Sequence, residues 1–143
     1  MIHALKPVTW SRSPYEVSTD IERLDRTATL TELRASYWAK SLSSDLIWKS
    51  IEGSVAFGLF EEKRGQIGFA RVATDAARFG WVSDVYVNDV CRGQGLGGFL
   101  MECMLAHPDL QTLTKWMLST DDAFAFYQRF GFERIGDSKF MVR

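Results

Sequence analysis

The sequence predicts one α+β or mixed α/β domain, and three observations carry that prediction. At 143 residues, 46% hydrophobic and 24% charged, the chain is long enough and apolar enough to bury one core. Its apolar spacing switches between a helical period of about 3.6 and a strand period of about 2 along the chain. A dense glycine run, Arg92-Gly93-Gln94-Gly95-Leu96-Gly97-Gly98, joins a β-forming stretch to an apolar helical stripe.

Residues 1 to 14 contain Pro7 and Pro14 and read as an irregular lead-in, followed by a short strand over Tyr15-Glu16-Val17-Ser18-Thr19. Thr29 with Glu32 makes a capping-box pattern, and Leu30, Leu33 and Tyr37 share the face of the helix it opens. A second helix spans Ser44 to Glu52, with Ile47, Trp48 and Ile51 on one side and Gly53 as its stop. From Ser54 the period shortens. Val55 to Phe60 and Gln66 to Val72 form a hairpin across the charged turn Glu61 to Gly65, and Phe79 to Val87 is the strand that delivers the chain to the glycines. The stripe Leu96, Phe99, Leu100, Cys103 and Met104 marks a helix ending near His107-Pro108. Leu113 to Leu118 reads as a strand, Asp122 to Phe130 as a helix closed by Gly131, and Phe132 to Ile135 and Lys139 to Val142 as two last strands. The order is β-α-α-β-β-β-α-β-α-β-β within a single domain over residues 1–143.

A formal net charge of −1 speaks against bulk nucleic-acid binding, so any anionic ligand must be held by local groups. Cys91 and Cys103 make no disulfide framework, and with His3 and His107 they offer no metal-ligand spacing. There is no uninterrupted apolar run of about 18 residues and no secretion signal, which fits a reduced, cytoplasmic protein away from the membrane.

The glycine loop is the chemical centre of the sequence. Glycines let backbone N–H groups converge on a bound group, and a helix starting there adds the positive end of its dipole, which together make a phosphate site. Gly93-x-Gly95-x-x-Gly98 formally matches a dinucleotide fingerprint, with Asp121 where a ribose-binding acid is sought, but most of the chain precedes the loop as helices and hairpins. Arg92-Gly93-Gln94-Gly95-Leu96-Gly97 more closely resembles the Arg/Gln-x-x-Gly-x-Gly/Ala pyrophosphate loop of the GNAT superfamily of acyl-coenzyme A N-acyltransferases. A second segment in register, Ala123-x-x-Phe126-Tyr127-x-x-Phe130-Gly131-Phe132, is similar to the late Ala-x-x-Phe-Tyr-x-x-x-Gly-Phe motif of the same family. One departure is Thr120, where many members have Asn.

The resemblance implies a GNAT-like α+β fold with a central mixed, mainly antiparallel sheet flanked by helices, acetyl-CoA as acyl donor, no metal, and a small-molecule amine or a protein amino group as acceptor. It places Val85, Tyr86 and Val87 against the pantetheine arm in the manner of strand addition, and the backbone of Arg92, Gly93, Gln94, Gly95, Leu96 and Gly97 around the pyrophosphate, with Arg92 as charge partner. A backbone N–H near Val87 is the oxyanion donor, a role that contributes about 3 kcal/mol. Tyr127 is the general acid for the departing thiolate, since a phenol of pKa about 10 keeps its proton at neutral pH; packing among Phe124, Phe126 and Phe130 is the other role open to it. Asp84 is the candidate base or substrate anchor, although strict strand alternation with Val85 bears on which face it takes, and a structural carboxylate is its alternative. Asp75, Asp121 and Glu52 are the next candidates, and a water chain would need no dedicated base. Tyr37, Trp38 and Trp81 are candidate acceptor walls or core aromatics. Cys91 lacks a neighbouring base and reads as a structural thiol. Homodimers are common in such proteins. A non-catalytic acyl-CoA-binding module and a nucleotide-binding oxidoreductase are the rival functions.

Overall fold

The computed structural model describes residue 2, residues 5–136 and residues 139–143. Its centre is a six-stranded sheet in the order β1-β2-β3-β4-β5-β6: β1 (Thr9–Arg12), β2 (Tyr15–Ser18), β3 (Val55–Glu61), β4 (Gly65–Thr74), β5 (Phe79–Val87) and β6 (Lys115–Met117). Every neighbouring pair is antiparallel except β5–β6, which is parallel. Helices α1 (Arg26–Ala35) and α2 (Ser44–Glu52) cover one face, α3 (Leu96–Leu105) covers the other, and the short α4 (Phe124–Gln128) packs beside α3.

Strand alternation builds two cores at once. Val55, Phe57 and Leu59 of β3 join Leu96, Phe99, Leu100 and Met104 on one side, while Ala56 joins Leu33, Ile47 and Ile51 on the other. In β4 the parity breaks. Ile67, Ala70 and Val72 face α3 but Phe69 faces α1 and α2, because the β3–β4 register shifts between Leu59 and Phe60. α3 is apolar nearly all round and correspondingly sunk into the core, its exposed polar residue being Glu102. No helix of the described residues is long and apolar enough to cross a membrane.

Several expectations need correction. The lead-in is not irregular throughout, since Thr9–Arg12 pairs with Tyr15–Ser18 as a hairpin; residues 1, 3 and 4 of it, including His3, lie outside the described residues. α1 is capped by Asp25, whose carboxylate accepts from the Ala28 amide at 2.9 Å, so the helix opens before the Thr29 capping-box pattern. Thr29 is instead buried inside α1 and donates its hydroxyl to the Asp25 carbonyl at 2.8 Å. The two final strands do not form among the described residues. Phe132 packs edge-on against Tyr127 with ring centroids 6.0 Å apart, and the Arg134 guanidinium covers the Phe124 ring at 4.0 Å, so these side chains serve packing at α4 rather than a ladder. Residues 137 and 138 between the two expected strands lie outside the described residues.

Candidate active site

The edge of β5 opens into a wedge. β5 and β6 pair only at Phe79↔Lys115, Gly80↔Trp116 and Trp81↔Met117; β6 then ends while β5 runs on to Val87, held on its other edge by β4. The outer edge of Val82–Val87 therefore has no strand beside it. In the same stretch the β4–β5 register shifts between Phe69 and Arg71, so that Asp84 and Val85 together oppose Ala70, and Asp84 takes a left-handed φ of 55°. The bulge settles the facing left open by the sequence. Val82 and Val85, on either side of it, both turn to the α3 core, while Asp84 faces the α1–α2 side.

Asp84 is gripped from both sides. Arg71 Nε donates to its Oδ2 at 2.6 Å and Trp38 Nε1 donates to its Oδ1 at 2.7 Å. Arg71 is itself steadied by Ser54 Oγ at 3.0 Å and Ser83 Oγ at 3.4 Å. The Asp84 side chain is only 8% exposed, so this pair is shielded from screening by solvent, and removing one member leaves a buried charge alone.

The far end of β5 feeds the glycine loop through a short 3-10 turn, Asp89–Cys91. Arg92 is fastened there: Nη1 pairs with Asp89 at 2.8 Å and Nε donates to the Val87 carbonyl at 3.1 Å. Gln94 Oε1 accepts from the Tyr15 hydroxyl at 2.9 Å, tying the loop to β2. Gly93 and Gly95 have φ of 79° and 75°, and a Cβ at either would meet nothing within 4 Å. Backbone conformation, not lack of room, is what requires glycine there. Gly95 caps α3 without any side-chain acceptor, leaving the first amides of a ten-residue helix directed out of its N-terminus. Gly97 serves packing instead, its Cβ position lying 3.4 Å from the Phe126 ring. Cys91 is buried, with Arg64 Nη1 3.3 Å from its sulfur, which fits the structural thiol expected.

A cleft of about 400 Å³ lies between the splayed β5 edge and the start of α4. Tyr37, Trp38, Trp81, Asp84, Val85, Asp121, Asp122 and Tyr127 all line it, so residues expected separately as acid, base and acceptor walls share one space. Thr120, at the position where many similar sequences have Asn, also lines it, and its hydroxyl accepts from the Ala123 amide at 3.1 Å, closing the turn that leads into α4 without capping the helix. Burial, then the charge of Asp122 and the nearby Tyr37, push the Tyr127 phenol up to about 12. Desolvation followed by the charges of Asp121 and Asp122 also raises Tyr37. Tyr86 points its ring away, packed on Phe69 at 6.1 Å, with burial raising its phenol to about 12, and the register set by the Asn88 amide donating to the Ile67 carbonyl turns its own amide and carbonyl toward Phe69 of β4 rather than the open edge. Of the further acids, Asp75 is spent on its own turn, accepting from the amides of Arg78 at 2.8 Å and Ala77 at 3.0 Å, which hold it below the usual carboxylate range. Glu52 lines a separate cavity beside His107. Arg71 and Asp122 were not singled out from sequence. The one signal for Arg71 was a lone cation in the apolar run Gln66 to Val72.

Known proteins share this sequence pattern and fold. The profile of the acetyltransferase (GNAT) domain matches residues 53–134. A crystal structure from Xanthomonas campestris pv. campestris, of a protein assigned to the GNAT family, is 38% identical with a TM-score of 0.82, over 88% of this chain and 89% of that one. A candidate acetyltransferase of Gibberella zeae is 29% identical over 92% of this chain and 86% of its own length. The fold is shared, at 13% identity and a TM-score of 0.65 over 90% of this chain and 94% of that one, with a candidate acetyltransferase of Clostridium acetobutylicum solved with acetyl-CoA. With its sheet, glycine loop and matched profile in accord, the chain belongs to the GNAT acetyltransferase family.

Proposed function

We propose that the chain, acting as one domain over residues 1–143 in the cytoplasm, transfers an acetyl group from acetyl-CoA to a primary amine by direct attack in a ternary complex. The observation that carries this is the wedge between β5 and β6, which leads from the uncapped N-terminus of α3 to the cleft holding Tyr127. The chain fits the donor without a net positive charge: α3 amides and the positive-φ glycines suit a pyrophosphate, and the outer edge of β5 over Val85 to Val87, which no strand covers among the described residues, suits an amide-bearing arm.

Acetyl-CoA supplies an activated thioester: as the amine nitrogen forms the new C–N bond the C–S bond breaks, the sulfur leaves with the electron pair and takes up a proton, and the nitrogen gives one up. The residues serve these proton and charge movements. A β5 backbone N–H near Val87 donates to the oxygen that gains negative charge. Tyr127, protonated throughout the neutral range, hydrogen-bonds the departing sulfur. Asp84, fixed by Arg71 and Trp38, orients the incoming amine and receives its proton directly or through water. Tyr37, Trp38 and Trp81 wall the acceptor side.

A calorimetric titration with acetyl-CoA, with NADH as control, tests the donor half of this reading. Saturable acetyl-CoA binding, weakened roughly 10- to 100-fold in Gly95→Val, is expected; binding of NADH in its place would favour a nucleotide-dependent oxidoreductase and overturn it.

A further inference from the structure

The acceptor cleft is walled by aromatics that the cores do not use. Tyr37, Trp38 and Trp81 are 55%, 45% and 39% exposed, yet all three line this one space, and Tyr37 meets Trp38 edge to face at 5.0 Å. Aromatic side chains this large and this open are the unusual observation; scattered exposure needs no explanation, but convergence on one cleft does. The charge of the same lining is one-sided. It holds Asp84, Asp121 and Asp122 and no Lys, Arg or His. Asp84 is balanced by Arg71, whereas Asp121 and Asp122 enter no ion pair among the described residues.

Ring faces together with uncompensated carboxylates are the chemistry that recognises a cation. The amine that attacks must be neutral at that moment, so it cannot itself satisfy this field during transfer. We propose, building on the acetyltransferase reading, that the acceptor carries a second cationic centre, as an alkyl diamine does, and that this centre is held by Tyr37, Trp38 and Trp81 with Asp121 and Asp122 at the rim. The second nitrogen takes no part in bond making and keeps its proton, as an amine of pKa about 10 does at neutral pH. A space of about 400 Å³ suits a small molecule of this kind. An acceptor bearing a carboxylate would meet two like charges and is disfavoured.

The test compares 1,4-diaminobutane, butylamine and 4-aminobutanoate in two assays on the whole chain. One follows thiol release from acetyl-CoA; the other follows quenching of tryptophan fluorescence by each amine in the presence of CoA. The diamine is expected to lead butylamine by roughly 3- to 30-fold in both KM and binding, with 4-aminobutanoate weakest. In the double variant Asp121→Asn, Asp122→Asn that preference for diamine over butylamine falls to within about two-fold of parity, because the second cation loses its two carboxylate partners. Trp81→Leu shrinks it as well. Equal response to diamine and butylamine, or preference for 4-aminobutanoate, overturns the inference even if all three are acetylated. Thiol release with none of them, alongside selective diamine binding, counts against the transferase reading while leaving the cation site supported.

Discussion

The halves of the site proposed for donor and for acceptor are built from different material. On the donor side the contacts are main chain: positive-φ Gly93 and Gly95, the uncapped amides of α3 and the open edge of β5. On the acceptor side they are side chains drawn from distant elements, Trp38 after α1, Arg71 on β4, Asp84 on β5 and Tyr127 on α4. A main-chain site is altered only by changing backbone conformation. A side-chain site is altered by almost any substitution and shares its parts with the packing around it.

The sharpest separation is expected from Arg71→Leu, which leaves the Asp84 carboxylate buried without its cation. Stability should fall by about 3–5 kcal/mol in chemical denaturation. A loss below about 1 kcal/mol, the range of exposed pairs, would break the claim that the acceptor half is structural as well as chemical. Tyr127→Phe should reduce kcat by about 100-fold or more while acetyl-CoA affinity changes little, which steady-state kinetics and calorimetry distinguish. An unchanged kcat would return Tyr127 to a packing role. Gly95→Val forces a β-branched residue to a φ of 75°, weakening acetyl-CoA binding by roughly 10- to 100-fold. Its cleft residues stay in place, so unfolding by denaturant should shift less than in Arg71→Leu; the opposite ranking would reverse the comparison.

The smallest effect concerns pH. The folded Tyr127 phenol lies at about 12 against about 10 when unfolded, so the folded state holds that proton more tightly. Its contribution to stability is complete below about pH 10 and is lost as pH rises through about 12, a window that buried Tyr86 shares. Tyr127→Phe should therefore flatten the alkaline fall in stability without altering the neutral region. Turnover should likewise show no falling limb from Tyr127 below about pH 10, which a pH–rate profile checks.

The conformation of the glycine loop and of the strand before it was legible in the sequence because its requirements are local. Residues that must adopt positive φ and residues that start a helix sit side by side, and Phe79 to Val87 was bounded as the structure has it. The helices and the strands from β2 to β6 followed from periodicity for the same reason, while their arrangement as one sheet flanked by helices came from the family resemblance. The acceptor half depends on long-range pairing. Trp38 and Asp84 are 46 positions apart, and the bulge that turns Asp84 toward Trp38 comes from a register shift that alternation alone does not encode. Local signals also compete with each other. Asp25 and Thr29 are both good cap residues, and Thr29 is drawn into α1 because its hydroxyl bonds back to the Asp25 carbonyl and to Gln66 Nε2, at 2.8 Å each. The C-terminal segment was read as strands from composition, whereas Phe132 and Arg134 pack against α4 rings.

The central claim is that donor and acceptor meet in the cleft where Tyr127 and Asp84 face each other's side. Incubating the protein with acetyl-CoA and 1,4-diaminobutane, and measuring free CoA thiol together with the mass of the amine, tests it in one step. One acetyl group on the amine is expected for each thiol released, at a rate that Tyr127→Phe lowers. Thiol release without an acetylated amine, or no release by folded protein that binds acetyl-CoA, would contradict it.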